Sequence, residues 1–135
     1  MKTALKILRI AAAALALLIA GTVAVEHARA HVPAPERQAL LARGKALYAA
    51  RCVACHGQAM RSVRLPDGTL SPPLDKPGFQ FFFWVMPAGM ERTVREKIEA
   101  GNAAMPQFSK LLSPTDIQAL ALLVREVNQG RTALP

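Results

Sequence analysis

The stretch Cys52-Val53-Ala54-Cys55-His56 decides the fold of this 135-residue chain. Its two cysteines are three positions apart, so near the end of a helix both sulfur atoms emerge on one side. His56 follows directly, which places an imidazole beside the two thiols. These are the only two cysteines of the chain, too few for a disulfide-rich scaffold or a four-cysteine zinc site.

The Cys-x-x-Cys-His pattern predicts covalent attachment of a haem. Thioether bonds from Cys52 and Cys55 would join the two vinyl groups of one porphyrin, and the His56 imidazole would ligate the iron. Three alternatives use the same cysteines. A thioredoxin-type dithiol needs a strand–helix–strand context, which the sequence lacks. Half a zinc site needs a second cysteine pair. A plain disulfide fits an oxidising compartment.

The first thirty residues predict export. An apolar run over residues 10–20, which continues more weakly to residue 25, follows three basic residues: Lys2, Lys6 and Arg9. Ala28-Arg29-Ala30 then offers small residues at both positions that a signal peptidase reads. We therefore expect a signal peptide over residues 1–30, cleaved after Ala30. The alternative is an uncleaved membrane anchor over residues 10–25. In both cases the remainder is exported, and we expect it in the periplasm.

Composition excludes several classes of protein. The chain is 52% hydrophobic, which rules out a disordered tail, and it has no pattern of several membrane spans. Its charge is 17 − 9 = +8, and without residues 1–30 it is 13 − 8 = +5. The basic charge favours redox partner proteins with acidic docking patches. Nucleic acid is not an expected partner, because the chain is exported and has no binding motif.

Helical signals cover most of the remaining chain. After a flexible lead-in over residues 31–35, the spacing of apolar residues predicts a helix from Glu36 to Arg51. A dense series of prolines and glycines predicts a loop over residues 57–78. Thr93 fits the N-cap of a helix over Val94–Ala100, and Gly101 fits its C-terminal glycine.

The last helix has the strongest signals. Ser113 fits its N-cap, Pro114 fits the first helical position, and Asp116 suits the positive end of the helix dipole. An apolar stripe then runs to Asn128, followed by a tail over residues 129–135. The fold class is therefore all-α, with three to five helices. Its protein core is marginal for residues 36–128, and a buried haem would fill it.

Over residues 36–128 the chain resembles a class I, single-haem cytochrome c domain. The matching features are the Cys52–His56 segment, Gly44 and Tyr48 ahead of it, Gly57 after it, Pro72-Pro73-Leu74, the run Gly101 to Phe108, and the start of the last helix at Leu112. The resemblance implies the cytochrome c fold, in which the last helix crosses the first. Two positions depart from the pattern, since Ser71 replaces a glycine and Leu123 replaces an aromatic residue.

The resemblance also implies roles for residues around the haem. The Pro72 carbonyl would accept a hydrogen bond from His56, and Leu74 would pack on the ring. Met105, in the G-x-x-x-M-P-x-F segment, would be the sixth iron ligand. Met86 is the alternative ligand, because a proline follows it too, while Met60 and Met90 are interpreted as core filler.

The run Phe79–Val85 is unusually aromatic, holding five of the chain's seven aromatic residues. It fits a buried short helix or strand, or else a hydrophobic docking face or the wall of a site for a flat ligand. Trp84, Arg51 and Arg61 are candidates to bind haem propionates. Their simpler interpretations are core for the tryptophan and solvated surface for the arginines.

A haem iron ligated by His56 and Met105 has no open coordination position. The sequence therefore predicts one-electron transfer rather than catalysis, by a soluble carrier or by the haem subunit of a dehydrogenase or oxidase. Contacts with redox partners should be transient and salt-sensitive. Two alternatives remain: a haem enzyme or gas sensor with a labile sixth ligand, and a thiol–disulfide oxidoreductase without haem.

Overall fold

The computed structural model describes residues 2–75, 77–102 and 104–134. Across these ranges the chain is helical, and the only β-type pairing is an isolated bridge between Arg64 and Leu70. The all-α prediction is thus confirmed. The elements in chain order are α1 (Lys2–Arg29), α2 (Ala34–Arg51), α3 (Val53–His56), α4 (Pro77–Val85), α5 (Pro87–Ala100), a 3-10 helix (Phe108–Lys110) and α6 (Pro114–Asn128).

Helices α2 and α6 cross in direct contact, as the resemblance implies. A β-carbon on Gly44 would lie 2.5 Å from the Ala119 carbonyl oxygen and 3.2 Å from the Leu123 β-carbon. Only glycine permits this approach, because the nearest atom belongs to the rigid backbone of α6. Tyr48 lies one turn beyond Gly44 and is buried.

Helix α6 is the centre of the domain. Its start is as predicted: Ser113 is the N-cap and Pro114 opens the helix. Asp116 lies in the first turn, as predicted, and it also forms a reciprocal capping box with Ser113. Buried residues lie all round the helix rather than on one stripe, since α2 and α5 both pack against it.

Two predicted helix starts were wrong. Helix α5 begins at Pro87, so Thr93 lies inside the helix and does not cap it. The Thr93 hydroxyl instead donates to the Gly89 carbonyl at 3.1 Å, one turn earlier, which lets it sit inside a helix. Helix α2 begins at Ala34 rather than at Glu36, so part of the expected lead-in is helical.

The aromatic run forms helix α4, with two different faces. Phe83 is fully buried, whereas Phe81 and Trp84 are 63% and 65% exposed. Phe79 and Phe83 are four residues apart and share a face. The expectation of a buried element therefore holds for one face only, and Trp84 is not a core residue.

Helix α1 extends away from the core. Its stretch Thr3–Arg29 is long and apolar enough to cross a membrane, and its apolar 18-residue window has a mean hydropathy of 2.2 with no residue buried. An export signal near the N-terminus would satisfy the same criteria. The end of α1 packs against α5.

A buried network of charges joins α6 to its surroundings. Arg125 donates to a Glu91 carboxylate oxygen at 2.6 Å and to the Ala30 carbonyl at 2.8 Å. Glu126, fully buried, pairs with Arg125, Arg37 and Arg131. Burial alone would raise the pKa of Glu126, but the hydrogen bond from Arg37 and the other two guanidinium groups hold that pKa below its usual value.

Candidate haem site

An apolar cavity of about 260 Å³ lies among α2, α4, α5 and α6. Its wall brings together four of the six residues that the sequence analysis proposed for the site: Cys52, His56, Leu74 and Met105. The other lining residues are mostly apolar: Tyr48, Phe79, Met90, Thr93, Val94, Lys97, Ile98, Phe108, Leu120 and Val124. Such a wall suits a flat hydrophobic group that carries a metal.

Cys52 lies at the junction where α2 ends and α3 begins. Its backbone N–H donates to the Tyr48 carbonyl at 2.9 Å, which continues the α2 pattern into the junction. Cys52 is half-buried and Cys55 is exposed, and both are free thiols. Burial, with a smaller effect of Cys55, raises the pKa of Cys52 to about 11. A redox dithiol needs a lowered thiol pKa, so this environment does not favour that alternative.

His56 is the last residue of α3 and points one ring nitrogen at the loop that follows. Its Nδ1 lies 3.4 Å from the Pro72 carbonyl oxygen, the partner that the resemblance implies. Burial lowers the pKa of His56, while the Pro72 carbonyl opposes the shift. The lowered pKa favours the neutral imidazole, and a hydrogen bond from Nδ1 leaves Nε2 free to ligate a metal.

Tyr48 and Met60 fold the loop after His56 back onto the cavity. The Tyr48 hydroxyl donates to the Gly57 carbonyl at 2.7 Å. Met60 is fully buried, and its carbonyl accepts the N–H of Leu74 at 2.8 Å. The interpretation of Met60 as core filler agrees with this burial. Its backbone also positions the Pro72–Leu74 segment beside His56.

Ser71 explains one departure from the family pattern. Its hydroxyl accepts the Val63 N–H at 3.0 Å, and its own N–H donates to the Val63 carbonyl at 2.9 Å. The side chain thereby ties together the two halves of the 57–75 loop just before Pro72. A glycine could not make the first of these bonds.

Met105 is held by a tight turn that starts at Gly101. Gly101 has a φ of +64°, and a β-carbon there would lie 2.5 Å from the Met105 carbonyl oxygen. The Asn102 side chain accepts the N–H groups of Ala104 and Met105, both at 2.9 Å, and the Asn102 N–H donates to the Met105 carbonyl at 2.9 Å. Asn102 was missed by the sequence analysis, although an asparagine after a helix-ending glycine is a recognisable turn signal.

The other methionines differ in their relation to the cavity. Met86, the alternative ligand, is 44% exposed and lines a separate groove beside α1. Met90 does line the cavity, from α5, although no feature of the sequence marked it. Thr93 and Lys97 were likewise missed, and their four-residue spacing on α5 is the signal that could have found them.

The propionate candidates are not at the cavity. Trp84, Arg51 and Arg61 are exposed, and none of them lines it. Pro72 is exposed and reaches the site only through its carbonyl. Over the described ranges, no three side chains of His, Cys, Asp or Glu converge as a site for a bare metal ion. The donor set fits a metal carried by an organic group, with one imidazole, that of His56, and two thioethers, those of Met90 and Met105, at the cavity wall.

Comparisons with known proteins identify a matching family and three relatives. A family model described as cytochrome C oxidase, cbb3-type, subunit III matches residues 39–124. The chain is 31% identical over 94 residues to the cbb3-type cytochrome c oxidase subunit CcoP of Azospirillum sp. (strain B510), covering 67% of this chain and 30% of the relative. It is 31% identical over 99 residues to subunit FixP of Bradyrhizobium sp. (strain ORS 278), covering 72% and 31%.

A third relative is much smaller. Cytochrome c6 of Tetradesmus obliquus is 32% identical over 90 residues, which cover 67% of this chain and 93% of the relative. The chain therefore spans under a third of the two oxidase subunits but nearly all of the cytochrome c6. No solved structure matches the chain significantly.

Proposed function

Because the chain belongs to the cytochrome c oxidase, cbb3-type, subunit III family, we propose that it binds one covalent haem c and passes single electrons between redox partner proteins. It is an electron-transfer cytochrome c domain, related to oxidase subunits and to cytochrome c6. The observation that carries the finer proposal is that Cys52, His56 and Met105 line the same apolar cavity.

Each residue of the site has a part in holding the group. Cys52 and Cys55 would form the two thioethers, which fix the porphyrin to the chain. His56, oriented by the Pro72 carbonyl, would supply one axial ligand, and Met105 would supply the other. The bound haem supplies a single iron that takes up or releases one electron, and a thioether ligand favours the reduced iron.

Electron transfer is favoured over catalysis because His56 and Met105 together would leave a bound haem iron no open coordination position. The backbone of Met105 is restrained by the turn at Gly101 and by the Asn102 side chain, which keeps this residue at the cavity wall. The apolar wall excludes water and keeps the environment similar in both redox states. A labile sixth ligand, as a gas sensor or haem enzyme needs, is disfavoured by this restraint.

We place this activity in the periplasm, with redox proteins as partners. The apolar α1 supports export, whether it acts as a signal or as an anchor. Lys97 lines the cavity and is exposed, so it offers a positive charge where an acidic patch could dock. Binding that rests on such charges weakens as salt rises.

The test is the colour and mass of the full chain made in a host that matures c-type haem. We expect an intact mass equal to the polypeptide plus one haem, and a reduced visible spectrum typical of a c-type cytochrome. Carbon monoxide should bind the native reduced protein slowly or not at all. A Cys52→Ser/Cys55→Ser variant is the control and should lose the added mass. A colourless wild-type protein of bare polypeptide mass would refute the proposal.

A further inference from the structure

Helix α4 exposes an aromatic face that the electron-transfer function does not use. Phe81 and Trp84, three residues apart, are 63% and 65% exposed, and Phe82 packs edge-on against Phe81 with ring centroids 5.7 Å apart. The opposite face carries Phe83 into the core. Large aromatic side chains grouped on a surface usually mark an interaction site.

The end of α4 lies beside the candidate membrane span. Val85 and Met86 line a groove together with α1 residues between 17 and 29. At a rise of about 1.5 Å per residue, the eight steps from Leu18 to Glu26 cover roughly 12 Å. The apolar run of α1 ends within that distance, so the C-terminal end of α4 lies beside the last turns of the span.

Two hydrogen bonds fix α1 to the domain. A Glu26 carboxylate oxygen accepts the Gly89 N–H at 2.9 Å, in the first turn of α5. The N-cap residue Met86 gives α5 no side-chain cap, so Glu26 supplies one from α1. The Ala30 carbonyl accepts from the buried Arg125 at 2.8 Å. Cleavage after Ala30 would remove Glu26, and with it the cap of α5.

We propose that α1 is retained as a membrane anchor and that the aromatic face of α4 lies in the lipid headgroup region at the end of this span. Trp and other aromatic residues are favoured at that depth. Arg29, Arg92 and Arg95 line a pocket at the same α1–α5 junction, where they outnumber Glu36 and Glu91 and offer positive charge to anionic headgroups. A lipid surface therefore fits both the chemistry of the face and its position beside α1.

The placement has a consequence for the cavity. Phe79 lines the cavity on one face of α4, while Phe81 and Trp84 lie on the outer side. The cavity is then held one helix diameter, about 10 Å, from the bilayer surface.

Photocrosslinking tests the proposal in the full-length holoprotein. The photoreactive residue p-benzoylphenylalanine replaces Phe81 or Trp84, and Leu70, which is 64% exposed in the 57–75 loop, is the control position. Membranes of the expression host are irradiated, and the adducts and the N-terminus are identified by mass spectrometry. We expect phospholipid adducts at positions 81 and 84, none at position 70, and a chain that retains residues 2–30.

Three outcomes would overturn the proposal. Protein adducts in place of lipid at positions 81 and 84 would mean that a partner protein covers the face. A soluble chain that begins at His31 would mean that α1 is cleaved. Equal lipid adducts at all three positions would mean nonspecific contact. The visible spectrum is recorded on the same samples, so a failure of haem binding is seen separately.

Discussion

Gly44 of α2 and Ala119 of α6 bring the first and last helices of the cytochrome domain into backbone contact. A β-carbon on Gly44 would lie 2.5 Å from the Ala119 carbonyl oxygen, far inside normal contact distance. The same added β-carbon would lie 3.2 Å from the Leu123 β-carbon. This contact fixes where α2 delivers Tyr48 and Cys52 to the cavity.

Gly44→Ala should destabilise the holoprotein. Alanine gains about 1 kcal/mol of helix propensity, but forcing the helices apart costs typically 1–3 kcal/mol, and a cost of about 2–3 kcal/mol applies here because the nearest atom belongs to rigid backbone. We expect a net loss of roughly 1–2 kcal/mol in the free energy of unfolding, measured with guanidinium and visible absorbance. Gly78→Ala is the control, since no heavy atom lies within 4 Å of its added β-carbon. A Gly44→Ala protein as stable as wild type would show that the helices are not locked at this point.

Met105→Ala should remove the weak far-red band that a sulfur–iron bond gives the oxidised protein. It should also lower the reduction potential by at least roughly 0.1 V, a modest part of the ~0.8 V that axial ligation spans. Met86→Ala is the matched control and should change neither, because Met86 lies outside the cavity. Loss of the band in Met86→Ala, with Met105→Ala unchanged, would assign the ligand to Met86.

Asn102 should act as a positioning residue for Met105. Its side chain accepts two backbone N–H groups of the turn, each worth about 1 kcal/mol. Asn102→Ala should therefore weaken the far-red band and speed cyanide binding to the oxidised protein, while Asn102→Asp keeps the acceptor oxygen and should restore both. If alanine and aspartate variants behave alike, the side-chain hydrogen bonds do not position the ligand.

Without haem the domain should be largely unfolded. The cavity wall consists mainly of apolar side chains of four helices, which would face water or collapse if no group filled the space. Circular dichroism of the Cys52→Ser/Cys55→Ser protein should show a loss of most helix of residues 34–128, with no cooperative thermal transition. A native helix content with a sharp transition in that variant would mean that the protein core suffices.

Local signals in the sequence predicted the parts of the site that depend on neighbouring residues. The Cys52–His56 spacing, the Gly101 turn and the Ser113 cap each act within a few positions, so a pattern in the chain reports them directly. The prediction of Thr93 as a helix N-cap was wrong, because Pro87, six residues earlier, is an equally good helix start and the helix begins there.

Long-range pairing could not be predicted in this way. Arg37 and Glu126 are 89 positions apart and meet only because α2 packs on α6. Charged side chains are mostly exposed, yet Arg125 and Glu126 are both buried in one ion network. The sequence also could not show which face of α4 is buried. Aromatic residues lie on both sides of the helix, so no polar face marks its orientation.

The Asp116–Arg43 ion pair gives stability that depends on pH. Hydrogen bonds from Arg43 and Ser113 lower the pKa of Asp116 from 3.8 to about 2 in the folded protein. A carboxyl with a lowered folded pKa contributes its full stability above the unfolded value and loses it as pH falls toward the folded value. The contribution should therefore be complete at pH 7 and fade between about pH 4 and pH 2.

Asp116→Asn tests this dependence. The variant should be less stable than wild type at pH 7 in guanidinium unfolding, and the gap should narrow at pH 3, because wild-type Asp116 is by then losing its advantage. Arg43→Gln should show a similar loss at pH 7, and the double variant should lose less than the sum of the two single changes, since both remove one ion pair. Effects from acid sensitivity elsewhere in the chain cancel in these differences. A gap of equal size at pH 7 and pH 3, or fully additive losses, would show that the pair does not couple the start of α6 to α2.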